Sequence, residues 1–315
     1  MIFLTAKLFV ATGTNGESWD VILPTSEIID LANNSTKCKP WSQLEIPVRG
    51  AVGGFIDDGI LICGGSTDAK NSRLLTNQCQ HIKPHQSVIT STNISHPSIA
   101  SSSIVYDNSL FISGGYNPYN PTNYDISEYI SLTERQIGPT LPYGVADHCM
   151  IHLDDDIILL TGGILKENST SLKHTWYFSI QNESWTPGPE MNEPRNWHAC
   201  SSFVLNNTVY PIVAGSESNS TTRKSVEFLD LSSDSPHWIA GPELDFLHSD
   251  VFTVGHHLVT NGETLFYIST TDNLFFQLDC ETIKECKWIQ LLRELEHIRI
   301  AAIVALIPDD LTDCS

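Results

Sequence analysis

The chain has 315 residues, 37 of them acidic against 17 basic, for a formal net charge of −20. A surface that negative repels phosphate backbones and anionic lipid, which excludes nucleic-acid binding as the main work of the protein. Hydrophobic residues make up 41%, enough for a substantial core, yet no apolar run reaches the roughly 18 residues of a bilayer span.

The first thirteen residues, "MIFLTAKLFVATG", invite a signal-peptide reading. Lys7 interrupts the apolar run, no basic segment precedes it, and no small-x-small cleavage site follows. The better reading is a strand ending at Thr12-Gly13, with a leader ahead of Met1 left to a longer precursor.

Further along, one design recurs: "FIDDGILICGG" (55–65), "VYDNSLFISGG" (105–115), "HLDDDIILLTGG" (152–163) and "VLNNTVYPIVAG" (204–215). Each is a strand, an acidic or Asn turn, a second apolar strand and then glycine. The glycines are Gly64, Gly65, Gly114, Gly115, Gly162, Gly163 and Gly215. In "NSLFISGGYNP" (108–118) the turn is expected at Asn108-Ser109. A fifth copy, "VTNGETLFYIST" (259–270), keeps Asn-Gly but has Ser269-Thr270 at the glycine positions. The turns at Asp57, Asp107, Asp154, Asn206 and Asn261 are spaced by 50, 47, 52 and 55 residues. After the glycines come a polar loop, a third strand such as "SVEFLDL" (225–231) or "NLFFQLD" (273–279), and a short fourth strand. Trp185, Trp238, Trp288 and Trp41 are placed in fourth strands.

The unit is a four-stranded antiparallel sheet that cannot bury both faces alone and must stack on its neighbours. The C-terminal "IRIAAIVALIPDDL" (298–311) supplies a first strand and turn with no second strand after it. "KLFVATG" (7–13) supplies the missing second strand. Joined, the ends complete a unit, giving six: 7–44 with 298–311, 49–91, 99–140, 143–190, 195–244 and 248–292.

A period near fifty with strand, turn, strand, Gly-Gly and a later aromatic resembles the kelch family of the galactose oxidase central-domain-like superfamily. The resemblance runs along essentially the whole chain and is nearest to secreted metazoan-type kelch proteins without BTB or BACK domains. It implies a single all-β domain over 1–315: a six-bladed kelch β-propeller whose ring is closed by the C-terminal strand joining the N-terminal blade. Departures are Thr12-Gly13, Ala214-Gly215 and Ser269-Thr270 for Gly-Gly, and the second and third units lack the fourth-strand Trp.

The eight cysteines show no Cys-x-x-Cys or His/Cys zinc spacing. Cys63 ends a second strand and Cys79 begins the third strand beside it. Cys280 and Cys286 flank a strand turn, and Cys38 and Cys314 fall on one face of the closing blade. These three pairs are candidate disulfides, although spacing alone does not fix connectivity. Cys149 and Cys200, in first strands of adjacent blades, are expected to be free core thiols. Sequons begin at Asn33, Asn34, Asn93, Asn168, Asn182, Asn206 and Asn219. Together these point to a secreted, glycosylated, disulfide-stapled protein, the alternative being eight buried thiols in a reducing cytosol.

Kelch proteins commonly take partners on the face holding the loops between blades, so those loops carry the candidate binding residues. They are Arg49, Tyr143, Arg195, Trp197, His198 and His248, with Tyr116 and Tyr119 in "YNPYN". The competing role for Arg195 and His198 is structural, tying blade to blade. Sequons at Asn93, Asn168 and Asn219 are placed on this same face. His256-His257 is read as surface, and the acidic runs 154–156 and 308–310 as turn residues.

No Tyr-His pair of the copper radical oxidase type and no Glu-x-x-x-Asp-x-x-x-His iron motif occurs. No cofactor, metal or catalytic residue is therefore expected. The reading is a non-catalytic extracellular binding module for a protein or glycan. Its alternatives are an intracellular kelch adaptor or cytoskeleton (actin) binder, and a carbohydrate enzyme similar to the sialate mutarotases.

Overall fold

The computed structural model describes residues 7–17, 20–33, 38–70, 73–119, 125–154, 156–165, 170–217, 222–247 and 255–314. Their regular structure is almost all strand. Five four-stranded antiparallel sheets follow one another along the chain in simple up-and-down order. The second blade is Val52–Ile56, Gly59–Cys63, Gln78–Lys83 and Gln86–Asn93. The third is Ser102–Tyr106, Ser109–Ser113, Ser127–Ile130 and Arg135–Ile137. The fourth is Cys149–His152, Ile157–Thr161, Thr175–Ser179 and Ser184–Pro187. The fifth is Ala199–Leu205, Thr208–Ala214, Val226–Asp230 and His237–Ala240. The sixth is His256–Thr260, Leu265–Ser269, Leu274–Cys280 and Cys286–Leu291.

The closing blade is made from both chain ends. Ile303–Ile307 pairs in full antiparallel register with Lys7–Ala11, which pairs in turn with Ser26–Asp30. Beside this sheet a single bridge joins Cys38 to Cys314. These six blades make an all-β propeller fold.

Two compact units divide the chain: one of Met1–Gly144, Thr270–Asn273 and Leu292–Ser315, the other of Val145–Ser269 and Leu274–Leu291. In the first unit, one core cluster packs Phe9, Ile28 and Ile303 of the closing blade on Ile60, Ile62 and Ile82 of the second. Another joins Val52 and Leu61 to Leu110 and Ile112 of the third blade. In the second unit, Ile151 and Leu159 meet Val213 and Trp238, and Phe203, Phe228 and Ile212 meet Tyr267 and Phe276. The core thus lies between blades. This is why second strands such as Lys7–Ala11, Gly59–Cys63 and Leu265–Ser269 are buried along their whole length, and why a blade alone would leave its apolar faces in water.

Turn chemistry sets the registers. Tyr106 pairs with Ser109 and Leu205 with Thr208. The two-residue turns between them, Asp107-Asn108 and Asn206-Asn207, have φ of 43° and 56°, and of 51° and 64°. Both residues left-handed is the turn that matches strand twist, and Asn and Asp tolerate it. The turn expected at Asn108-Ser109 is therefore one residue earlier, with Ser109 already in its strand.

Trp238 Nε1 donates to the Pro189 carbonyl of the preceding blade at 2.9 Å, and Trp288 Nε1 to that of Pro242 at 3.0 Å. Trp41, expected in a fourth strand, lies outside the paired strands; it is buried in the first unit, and its indole donates to the Leu311 carbonyl.

All eight cysteines are paired: Cys38–Cys314, Cys63–Cys79, Cys149–Cys200 and Cys280–Cys286. The expectation of free thiols at Cys149 and Cys200 is corrected. Adjacent first strands bring their Cα atoms to 6.0 Å, well inside the reach of a bond. No described helix is long and apolar enough to cross a membrane.

Candidate functional site

In the five blades whose lead-in ahead of the first strand is described, one residue of that lead-in takes left-handed backbone. These are Gly50 (φ 62°), Ala100 (59°), Asp147 (57°), Trp197 (53°) and Ala301 (56°). The Gly-Gly corner of the same blade packs under this lead-in. A Cβ on Gly163 would lie 2.8 Å from the Ala146 carbonyl oxygen, and one on Gly65 2.9 Å from that of Arg49. Both glycines also have φ near 90°, at 98° and 89°, so any side chain there is excluded twice over. The Gly163 N–H donates to the Arg195 carbonyl of the next blade at 2.8 Å, as the Gly65 N–H does to Ser98 at 2.9 Å. The lead-ins are where blades are tied.

Arg195 is fully buried. Its Nε and Nη2 donate to Glu227 Oε1 at 3.1 and 2.8 Å, Nη1 to the Gly215 and Ser225 carbonyls at 2.9 and 3.0 Å, and Nη2 to Ser225 Oγ at 2.8 Å. Every nitrogen of the fork is occupied. Desolvation pulls the Arg195 pKa down, and Glu227 opposes it. His198 is buried with Nε2 2.8 Å from Thr161 Oγ1, and burial pushes its pKa down to about 3. Neither can reach a partner molecule; both hold the corner together.

The remaining candidates divide between the units. Arg49, Tyr116, Tyr119 and Tyr143 belong to the first unit, Arg195, Trp197 and His198 to the second. Arg49 is half-buried, its Nε on the Asp68 carbonyl at 3.0 Å. Tyr116 and Tyr119 are exposed, and Asn117 shapes their loop by donating to the Pro97 carbonyl and accepting from the Tyr119 amide. Tyr143 is half-buried. His248 lies outside the described residues, as do Asn34, Asn168 and Asn219. Among the other sequons Asn33, Asn182 and Asn206 are exposed and Asn93 is half-buried.

His256-His257 is not the surface pair expected. His256 is buried against the Tyr267 ring, and burial pushes His257 down to about 3. A first strand here is packed on both faces. Asp154 does serve its turn, accepting from the Asp156 and Ile157 amides.

In the second unit the lead-ins assemble a cluster that the sequence reading did not contain. The Trp197 amide donates to the Asp147 carbonyl at 3.0 Å, joining two left-handed residues of adjacent blades. Asn196 is buried; its Oδ1 accepts from Ser171 Oγ at 2.9 Å, and its carbonyl accepts from the Glu217 amide at 3.0 Å. Asp147 is 9% exposed, and its Oδ1 is buried without a hydrogen-bond partner among the described residues. Burial drives the Asp147 carboxyl up to about 8, the Glu217 charge adds to the rise, and a side-chain hydrogen bond from Trp197 opposes it. His148, next in sequence, is fully desolvated and held at about 3. The corner therefore combines a half-buried indole, a buried amide, a largely neutral carboxyl and two neutral imidazoles.

Asp147 and Glu217 were missed, as was Arg299, which repeats Arg195. Arg299 is fully buried, with Nη2 2.8 Å and Nε 3.1 Å from Glu27 Oε1. One signal was available: His148 and His198 are 50 residues apart, the period itself, which marks Asp147 as the counterpart of Trp197.

No family model matches the chain, and no curated protein matches it. Among solved structures it is similar to one titled "Structure of YjhT", at 12% identity and a TM-score of 0.61, over 89% of this chain and 97% of that one. At that identity the likeness shows the fold alone.

Proposed function

We propose that the chain is a single kelch-type propeller that works outside the cell as a recognition module, taking a protein or glycan partner on the lead-in loops of its second unit. The observation that carries this reading is the corner of Asp147, Asn196, Trp197 and Glu217. A bulky residue in left-handed backbone is costly wherever a smaller one would do, and such strain concentrates at binding sites. A buried carboxyl oxygen without a donor is likewise costly unless something arrives to meet it. The four disulfides support the extracellular setting over an intracellular adaptor.

The test is capture of the disulfide-intact protein on arrays of cell-surface proteins and glycans. Wild type is expected to be captured, Trp197→Gly to lose capture, and Ala301→Gly to retain it. Capture indifferent to Trp197→Gly overturns the reading. Non-reducing peptide mapping of native protein, with sugar on Asn182 or Asn206, tests the compartment.

One observation favours a second reading, a carbohydrate enzyme of the mutarotase type. A carboxyl held near 8 beside a second carboxylate is a usable general acid or base near neutral pH. Anomer interconversion of a sugar followed by NMR, abolished by Asp147→Asn, would favour it over simple recognition.

A further inference from the structure

Elsewhere this protein meets each buried carboxylate with donors of its own. Glu227 has Arg195, Glu27 has Arg299, and Asp30 has Lys7. Glu128 accepts from the amide of Ser95 at 3.0 and 3.1 Å and from its hydroxyl at 3.1 Å. Asp147 is met only in part: the Trp197 side chain donates to it, while Oδ1 of this nine-tenths-buried residue has no donor among the described residues.

Among the described residues no positive charge acts on the Asp147 carboxyl: Arg195 is committed to Glu227, and His148 and His198 are too desolvated to protonate near neutral pH. Glu217 adds a second negative charge, and the chain as a whole carries −20, a field that concentrates cations at its surface. Trp197, bonded to Asp147 through both backbone and side chain, brings to the same spot the side chain that attracts cations best.

We propose that this corner binds an organic cation, a primary ammonium or guanidinium group, with Asp147 as its counter-ion, Glu217 reinforcing the field and the Trp197 indole alongside. The proposal names the ligand chemistry of the recognition site and rests on that reading for its place. Binding requires the Asp147 carboxylate, so a proton leaves as the cation enters. Affinity then rises with pH until the carboxyl is ionised in the empty site.

The experiment is calorimetric titration of the disulfide-intact protein at low salt and pH 6, 7 and 8.5. The probes are butylammonium and butylguanidinium chlorides, with n-butanol as the neutral control. The cations are expected to bind saturably and n-butanol not at all, with affinity rising about tenfold per pH unit below 8 and levelling above it. Asp147→Asn is expected to weaken binding by at least about tenfold and flatten the pH profile; Glu217→Gln weakens it less. A pH-independent wild-type affinity, no saturable binding at pH 8.5, or an affinity unmoved by Asp147→Asn overturns the proposal. The first two need no variant to fold.

A Gly-Ser-Lys-Ser-Gly peptide separates the sources. Binding far tighter than butylammonium points to a polypeptide side chain, equal binding to a small amine, and the cation site stands in both. If cations fail to bind while Trp197→Gly still abolishes partner capture, this proposal falls and recognition stands. If cations bind but capture ignores Trp197→Gly, recognition falls instead.

Discussion

The corners at Arg195 and Arg299 are built alike and furnished differently. Each arginine is fully buried, reaches a third-strand glutamate through Nε and Nη2, and gives Nη1 to two carbonyls. Each glutamate also caps the backbone just before its arginine: Glu227 at Asn192 and Glu193, Glu27 at Glu296 and His297. The next three positions diverge. After Arg195 come Asn196, Trp197 and His198; after Arg299 come Ile300, Ala301 and Ala302. The other described lead-ins of the first unit are as plain, with Gly50-Ala51 and Ala100-Ser101. With the arginine and glutamate fixing the corner in both places, the identities of the residues after them are free to differ. In the second unit those free positions carry chemistry.

If the skeletons are equivalent, breaking either should cost about the same. Glu227→Ala and Glu27→Ala each strand a buried guanidinium, for a loss of about 3–5 kcal/mol. Urea midpoints of the disulfide-intact protein measure this. A Glu27→Ala penalty below about 1 kcal/mol, against a full one for Glu227→Ala, would end the equivalence, since 1 kcal/mol is what an exposed pair is worth.

The second unit has one further device. Cys149 follows His148, Cys200 lies two residues after His198, and their bond joins the first strands that follow the lead-ins of Asp147 and Trp197. Replacing both by Ser removes a cross-link spanning 51 residues, worth about 4 kcal/mol by loop entropy. It should also weaken butylammonium binding by several-fold. Replacing Cys63 and Cys79, separated by 16 residues, costs about 3 kcal/mol and leaves cation affinity alone. Equal effects on affinity would show that the Cys149–Cys200 bond serves the fold only.

How much of this was legible in the sequence follows from distance along the chain. The hairpins were readable because a turn at Asn206 or Asp107 and its glycine corner are separated by fewer than ten residues. Cys63 and Cys79, 16 residues apart, were readable because they oppose each other on neighbouring strands of one blade. The Arg195–Glu227 pair spans 32 residues and the Arg299–Glu27 pair 272, and nothing local announces either. Asp147 was hidden differently. Beside Asp154 and Asp156 it reads as one more acidic turn residue, and only the folded lead-in buries it. Cys149 and Cys200 looked like core thiols because pairing across two blades depends on how the blades stack.

Asp147 also makes a thermodynamic distinction between the corners. A carboxyl raised from 3.8 to about 8 on folding binds more protons folded than unfolded between those values. Stability therefore falls as pH rises through that window, by about 1.4 kcal/mol per unit for one group, and levels off above the folded value. Asp147→Asn removes the slope. Between pH 5.5 and 7.5 the variant should gain about 2–3 kcal/mol on wild type, read from urea midpoints at the two pH values. Ala301, the left-handed lead-in residue of the closing blade, carries no titratable group. A constant difference between wild type and variant would mean that Asp147 is ionised throughout, already matched by a charge of the protein.

The smallest expected effect compares the left-handed residues themselves. Ala301 has φ 56° and Trp197 φ 53°, and an L side chain in that region costs roughly 1–2 kcal/mol that glycine does not. Ala301→Gly loses only a methyl group, and the freer unfolded chain takes back part of the gain, so a net stabilisation of about 0.5–1 kcal/mol is expected. Trp197→Gly relieves the same strain but gives up the burial of a half-covered indole, so its stability should stay within about 1 kcal/mol of wild type while cation affinity is lost. The two numbers together decide what the indole is for. Were Trp197→Gly strongly destabilising with binding intact, Trp197 would be core that tolerates its backbone for packing. Near-neutral stability with binding gone means that the strain is kept for the ligand, which is the difference between the two corners reduced to one side chain.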